Sequence, residues 1–166
     1  MLFLFLCYNY SMKNNRVYEY LTKLGIENRI IEAVTSTETV EMASDTLDCS
    51  IKEVAKTLSF YVPDSILVVT SGDVKIHNDK FRTVFGCKPS MIPKEEIMDV
   101  IGHEVGGVCP FNPKENVKVY LDISLLKNKY CYPACGVPGT GIKLTIEELM
   151  KYTKFIKWVD VTKNSD

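Results

Sequence analysis

Val17, Tyr20, Leu21 and Leu24 recur at the i, i+3, i+4, i+7 spacing of one helix face, and Gly25 closes the stretch. NRIIEAV (28–34) then predicts a strand, and residues 38–47 a weaker helix. SIKE at 50–53 has the Ser-x-x-Glu form of a capping box, and the short helix it opens passes into a strand over AKTLSFYV (55–62). PDS breaks the chain, ILVVT (66–70) reads as a buried strand, and SGD (71–73) as a turn. Residues 79–85 predict a short helix ended by Gly86. Pro93 opens another, with Glu95 and Glu96 in the first turn where carboxylates suit the helix dipole. Beyond a glycine-rich loop, GHEVGGVCPF (102–111), come strands VKVYLD (117–122) and KYCYPA (129–134), then the loop CGVPGTG (135–141). Strand IKLT (142–145) leads into a helix boxed by Thr145 and Glu148, and FIKWVDV (155–161) closes as a strand.

Helices and strands mingle here without regular βαβ alternation, and several strands join through short turns. The pattern predicts an α+β fold (mixed α/β): a single domain whose mixed, mostly antiparallel sheet, or partly open barrel, is surrounded by helices.

Composition narrows the function classes. The 166 residues are 46% hydrophobic and 25% charged, an ordinary balance for one domain with a sizeable core. A net charge of −1 and a pI of 6.2 exclude a chain that coats DNA or RNA non-specifically, while leaving room for a local basic pocket. Six cysteines show no zinc-finger spacing. Cys131 and Cys135 stand as C-x-x-x-C with no second pair, so no metal or other cofactor is expected. The opening MLFLFLCYNYSMKNN has a short apolar run, no preceding positive charge and no small-x-small cleavage site; it is also too short to span a bilayer. Residues 1–11 read as an upstream start or an extra strand, with Met12 as a second start. Nothing else suggests export, so the cytoplasm is expected, with no membrane partner.

Few motifs carry chemistry. GVPGTG lacks the following helix of a dinucleotide fingerprint, and no phosphate-binding Walker sequence occurs. The run from Gly106 to Pro110 is either a tight turn or a loop whose backbone must come close to something, since a Gly-Gly pair costs backbone entropy. Cys109, six residues after His103, reads as a thiol nucleophile or as a small buried apolar residue. His103 itself reads as an ordinary polar residue at a helix end. Lys56 in VAKTL has apolar neighbours on both sides, and must reach the surface or hold an anion.

Taken together, VAKTL (54–58), SGD with KFRTVFG (71–73 and 80–86), GHEVGGVCPF, VKVYLD, and YPACG with IKLTIEEL (132–136 and 142–149) resemble, in order, the stretches of the YbaK family. That family includes free-standing aminoacyl-tRNA deacylases and the editing domain inserted in bacterial prolyl-tRNA synthetases. The resemblance runs from about Met12 to the carboxyl end, which implies an editing domain over 12–166 and an appendage over 1–11. It implies hydrolysis of the ester joining a wrong amino acid, cysteine or alanine on proline tRNA, to the tRNA 3′ end.

Lys56 matches the family's essential lysine and would anchor that end. Backbone N–H groups of Gly106, Gly107, Val108 and Cys109, in the loop closed by Pro110, would hold the aminoacyl carbonyl and ribose, as oriented donors stabilise an oxyanion. Asp122 would line the pocket and Gly136 shape its rim. The attacking group would be water, a ribose hydroxyl or the substrate's own side chain. Weak intrinsic tRNA affinity points to a synthetase, the prolyl enzyme, as the presenter.

Three departures stand out. Cys109 replaces a serine common in the family, His77 an aspartate before the helix, and Ala33-Val34 a tyrosine-bearing stretch. The rival reading is a non-catalytic module that recognises an aminoacyl or nucleotide end. A third, a Cys109 thiol hydrolase, requires that Cys109→Ser abolish activity.

Overall fold

The computed structural model describes residues 15–33 and 39–165. The appendage expected over 1–11 and the departure at Val34 lie outside the described residues. Helix α1 (Arg16–Lys23) is capped by the Asn15 carboxamide, which accepts from the amides of Val17 and Tyr18, and it buries Val17 and Leu21. Strand β1 (Ile30–Glu32) and helix α2 (Val40–Leu47) follow. The capping box at Ser50–Glu53 forms, but on a single 3₁₀ turn before strand β2 (Ala55–Tyr61). Strands β3 (Ser65–Ser71) and β4 (Val74–Ile76) flank the SGD turn. Helix α3 (Asn78–Phe85) starts at His77, whose Nδ1 accepts from the Lys80 amide at 3.4 Å. A histidine thus does the capping work that an aspartate would do. The segment after Pro93 splits into a 3₁₀ turn and the one-turn helix α4 (Ile97–Val100).

Strand β5 (Lys118–Asp122) precedes three short strands, β6 (Tyr130–Cys131), β7 (Thr140–Ile142) and β8 (Leu144–Thr145). Helix α5 (Ile146–Tyr152) has the predicted Thr145–Glu148 box, and β9 (Phe155–Val159) and β10 (Thr162–Asn164) end the described chain. IKLT, read as one strand, is divided because β7 pairs with β1 while β8 pairs with β6. Strands β4 and β10 pair with each other; each is three residues long, too short for a period to show in the sequence.

The main sheet has the order β2-β3-β5-β9, with β2 antiparallel to β3 and the β3–β5 and β5–β9 pairs parallel. The three small ladders are antiparallel, so the fold is α+β with mostly antiparallel pairing, and no sheet among the described residues closes on itself. Strand β3 is buried on both faces. Leu67 and Val69 join a large core with Val17, Leu21, Leu121 and Leu149, while Ile66 and Val68 pack with Phe60 and Phe81 on the other side. Double burial accounts for the unbroken apolar run ILVVT. A third cluster, Ala43, Leu47, Val54 and Tyr132, seats α2 beside the start of β2.

Candidate functional site

Beside that third cluster opens a cleft of about 310 Å³. Its lining comes from the β2 residues Ala55 to Ser59, α2 through Ala43 and Leu47, the 91–97 segment, the loop residues Val105, Gly106 and Val108, and Tyr132, Ala134 and Thr140 further along the chain. Lys56 and Lys94 are its cations, and Thr39, Thr57, Ser59 and Thr140 supply hydroxyls. No carboxylate, imidazole or thiol belongs to its described lining.

The Lys56 ammonium donates to the Val74 carbonyl. Burial pulls its pKa down, and the negative charges of Asp73 and Glu41 counter that. Lys56 is therefore neither a freely solvated surface lysine nor locked in an ion pair. Its charge is held half-buried at the edge of the cleft, where a cation's field is less screened than in water.

The glycine loop is built from its own backbone. Gly106 has φ +86°, which favours glycine. At Gly107 a Cβ would lie 2.3 Å from the Val137 nitrogen and 2.5 Å from the Gly136 carbonyl carbon, so it is the second loop that demands glycine there. Gly107 N–H donates to Glu104 O at 2.9 Å, Gly136 N–H donates to Gly107 O at 2.9 Å, and Glu104 N–H donates to Gly136 O at 3.1 Å. The two loops thus brace one another.

Four loop amides were expected to face a ligand; two do not. Gly107 N–H is spent on Glu104, and Cys109 N–H reaches His103 Nδ1 at 3.4 Å. The Gly106 and Val108 amides donate to no described residue, and both residues line the cleft.

Other expected site residues lie elsewhere. Asp122 is fully buried and accepts from Ser124 N–H at 2.9 Å, Val161 N–H at 2.9 Å and Thr162 Oγ1–H at 2.8 Å, so it ties β5 to the chain after β9 rather than lining the cleft. Gly136, at φ +90°, packs against Val17 at the start of α1 and acts as a brace rather than a rim. Pro110 faces a different groove. The cleft's apolar wall was missed in the sequence, although Ala43 and Leu47 stand at i, i+4 on one helix face. Tyr132 and Thr140 gave no signal, because only the bridge of Tyr132 to Val54 and the pairing of β7 with β1 bring them here.

Cys109 is fully buried, and burial pushes its thiol up to about 12. Such a thiol is a packing group, not a nucleophile. Cys109→Ser is expected to keep most of the protein's activity, measured alongside wild type; a complete loss in a folded variant would restore the thiol-hydrolase reading. Cys131 and Cys135 are likewise buried free thiols.

His103 is not the ordinary polar residue expected. It is 1% exposed, and burial pushes its pKa down to about 4, with the backbone of Asn112 and Phe111 opposing. Its ordinary value is about 6.5, so between those two values the unfolded chain binds the extra proton and stability falls as pH falls. Acidifying from pH 7 to pH 5 should cost about 2 kcal/mol through this group. Urea unfolding at both pH values checks it: His103→Gln should lose this part of the pH dependence, and an unchanged slope would place the effect elsewhere.

Residues 34–152 match the aminoacyl-tRNA editing domain family. The uncharacterized protein YwhH of Bacillus subtilis strain 168 is 40% identical over 156 residues, covering 93% of this chain and 98% of YwhH. Among solved structures, the hypothetical protein APE2540 superimposes with a TM-score of 0.76 at 26% identity, over 89% of this chain and 99% of that one. A proposed trans-editing enzyme for prolyl tRNA synthetase does so with a TM-score of 0.78 at 22% identity, over 90% and 99%. Among the described residues no helix is long and apolar enough to cross a membrane. The matched span contains Lys56, the whole glycine loop and its brace at Gly136, and on that span the chain belongs to the aminoacyl-tRNA editing domain family.

Proposed function

We propose that this protein hydrolyses the ester between a wrongly attached amino acid and the 3′-terminal adenosine of a tRNA. The observation that carries the reading is one cleft in which a half-buried lysine from β2 meets two unengaged amides, Gly106 and Val108, from the glycine loop. Lys56 anchors the tRNA end by its phosphate or carbonyl oxygen. The two amides hold the ester carbonyl and stabilise the oxyanion formed on attack; donors of this kind are each worth about 10²–10³ in rate. With no carboxylate, imidazole or thiol among the described lining, the attacking oxygen belongs to water or a ribose hydroxyl, or the substrate's own side chain attacks.

Ala43, Leu47, Val54 and Ala134 give the cleft an apolar wall that suits a small uncharged aminoacyl group. Cysteine or alanine on proline tRNA fits this size and polarity. The likeness to a proposed trans-editing enzyme for prolyl tRNA synthetase supports that synthetase as the presenter of the substrate, and action in the cytoplasm is part of the same proposal. The editing unit is taken to span residues 12–166, with 1–11 as an appendage.

Deacylation of tRNA charged with cysteine, alanine, serine or proline tests the reading. Hydrolysis of one or two of these is the expected result. If every charged tRNA survives, even with a synthetase present, the rival binding module replaces the enzyme.

A further inference from the structure

A second groove, of about 530 Å³, lies where the glycine loop runs on past the cleft. Val108 lines the cleft and Pro110 lines the groove, so at this point the two openings are about 7 Å or less apart along the chain. Arg16, Lys114, Lys118 and Lys154 border the groove against a single carboxylate, Glu115. Among the lining residues that is an excess of three positive charges (four cations less one anion), reduced to two once the Asp64 partner of Lys118 is included, on a protein whose net charge is −1.

The cations are held on built elements. The Arg16 guanidinium donates to the carbonyls of Asn112 at 2.7 Å and Pro113 at 3.1 Å, and the Asn112 carboxamide donates back to Arg16 O at 3.2 Å. This fixes the start of α1 against the loop. The Lys114 ammonium donates 2.5 Å to the Asp99 carbonyl. Lys118 opens β5 and Lys154 directly precedes β9, so each stands just before one member of the parallel pair Val119↔Phe155. Asp64 pairs with Lys118 at 2.9 Å, whereas Lys154 is exposed and has no ion-pair partner among the described residues. Ile156, 57% exposed, adds an apolar contact at the same groove.

We propose that this groove receives the sugar-phosphate backbone of the tRNA acceptor strand while its aminoacyl end occupies the cleft; the inference rests on the editing reading. An RNA strand is favoured over an acidic peptide because it alone accounts for both openings on the two sides of one loop. The groove reads no sequence, since lysines address phosphates as point charges. It also reconciles a near-neutral protein with a polyanionic substrate.

The experiment measures binding of uncharged tRNA across a salt series, and deacylation kinetics, for wild type, Lys118→Glu/Lys154→Glu and the control Lys88→Glu, whose lysine is exposed and borders neither opening. The double variant is expected to bind about tenfold or more weaker at low salt, to lose one to two units of the log–log salt slope, and to raise KM with kcat nearly unchanged. A double variant that binds and hydrolyses like wild type overturns the groove while leaving the editing reading intact. Equal loss in Lys88→Glu also overturns it, by reducing the effect to overall charge. Groove-dependent binding with no hydrolysis by wild type would keep the contact and sink the enzyme. Preferential competition by polyglutamate over a tRNA-sized RNA would assign the groove to an acidic peptide instead.

Discussion

Lys56→Ala is expected to lower kcat/KM for deacylation by about 10²–10³, the usual loss when one preorganised charged group that holds the reacting end of the substrate is removed. Stability should fall by only about 1 kcal/mol, because the side chain contributes one hydrogen bond, to the Val74 carbonyl, and its stem is half-exposed. Val74 keeps its ladder with Asn164 on β10, so the turn after β3 has independent support. Lys56→Met separates charge from packing. It retains a stem of similar length and discards the ammonium, and it should be as slow as the alanine variant. A Met variant with near wild-type rate would show that the cation is not used, and the anchoring role of Lys56 would have to be given up.

Gly107→Ala is the second large effect, and it acts through the fold. The added methyl would meet the Val137 nitrogen and the Gly136 carbonyl carbon at 2.3 and 2.5 Å. Backbone atoms cannot rotate aside as a side chain can, and both loops are tied by the hydrogen bonds among Glu104, Gly107 and Gly136. Overpacking of this kind usually costs about 1–3 kcal/mol, and a backbone clash lies at the upper end. A loss of about 3 kcal/mol corresponds to a Tm lower by roughly 6–12 °C for a chain of this size. Activity should fall further than stability requires, since parting the loops moves the Gly106 and Val108 amides. Equal Tm values for variant and wild type would mean that the loops do not approach as closely as described.

The glycine loop shows how far local reading reaches. GHEVGGVCPF could be recognised as a loop whose backbone must approach something, and the resemblance supplied a ligand as that something. For Gly107 the neighbour is instead the 136–137 backbone, thirty residues on. Sequence does not say which of two close approaches a glycine serves, because both impose the same ban on a side chain. Asp122 failed for a related reason. An aspartate at a strand end looks the same whether it faces solvent, ligand or the amides of a later segment, and only the β5–β9 pairing brings Val161 and Thr162 to it.

What the sequence determined by itself was local and periodic: α1 from its apolar spacing, the Thr145–Glu148 box, the burial of β3, and the lysine and glycine stretches on which the resemblance rested. These follow from interactions between residues a few positions apart, or from one face against a core of any topology. Tertiary structure alone decided the parallel order of β3, β5 and β9, which of four loop amides remain free, and which apolar residues wall the cleft. Those outcomes depend on which distant segments are brought together. Hydrogen-bond donors and acceptors are identical along every backbone, so pairing across the fold is settled by the packing of the whole chain.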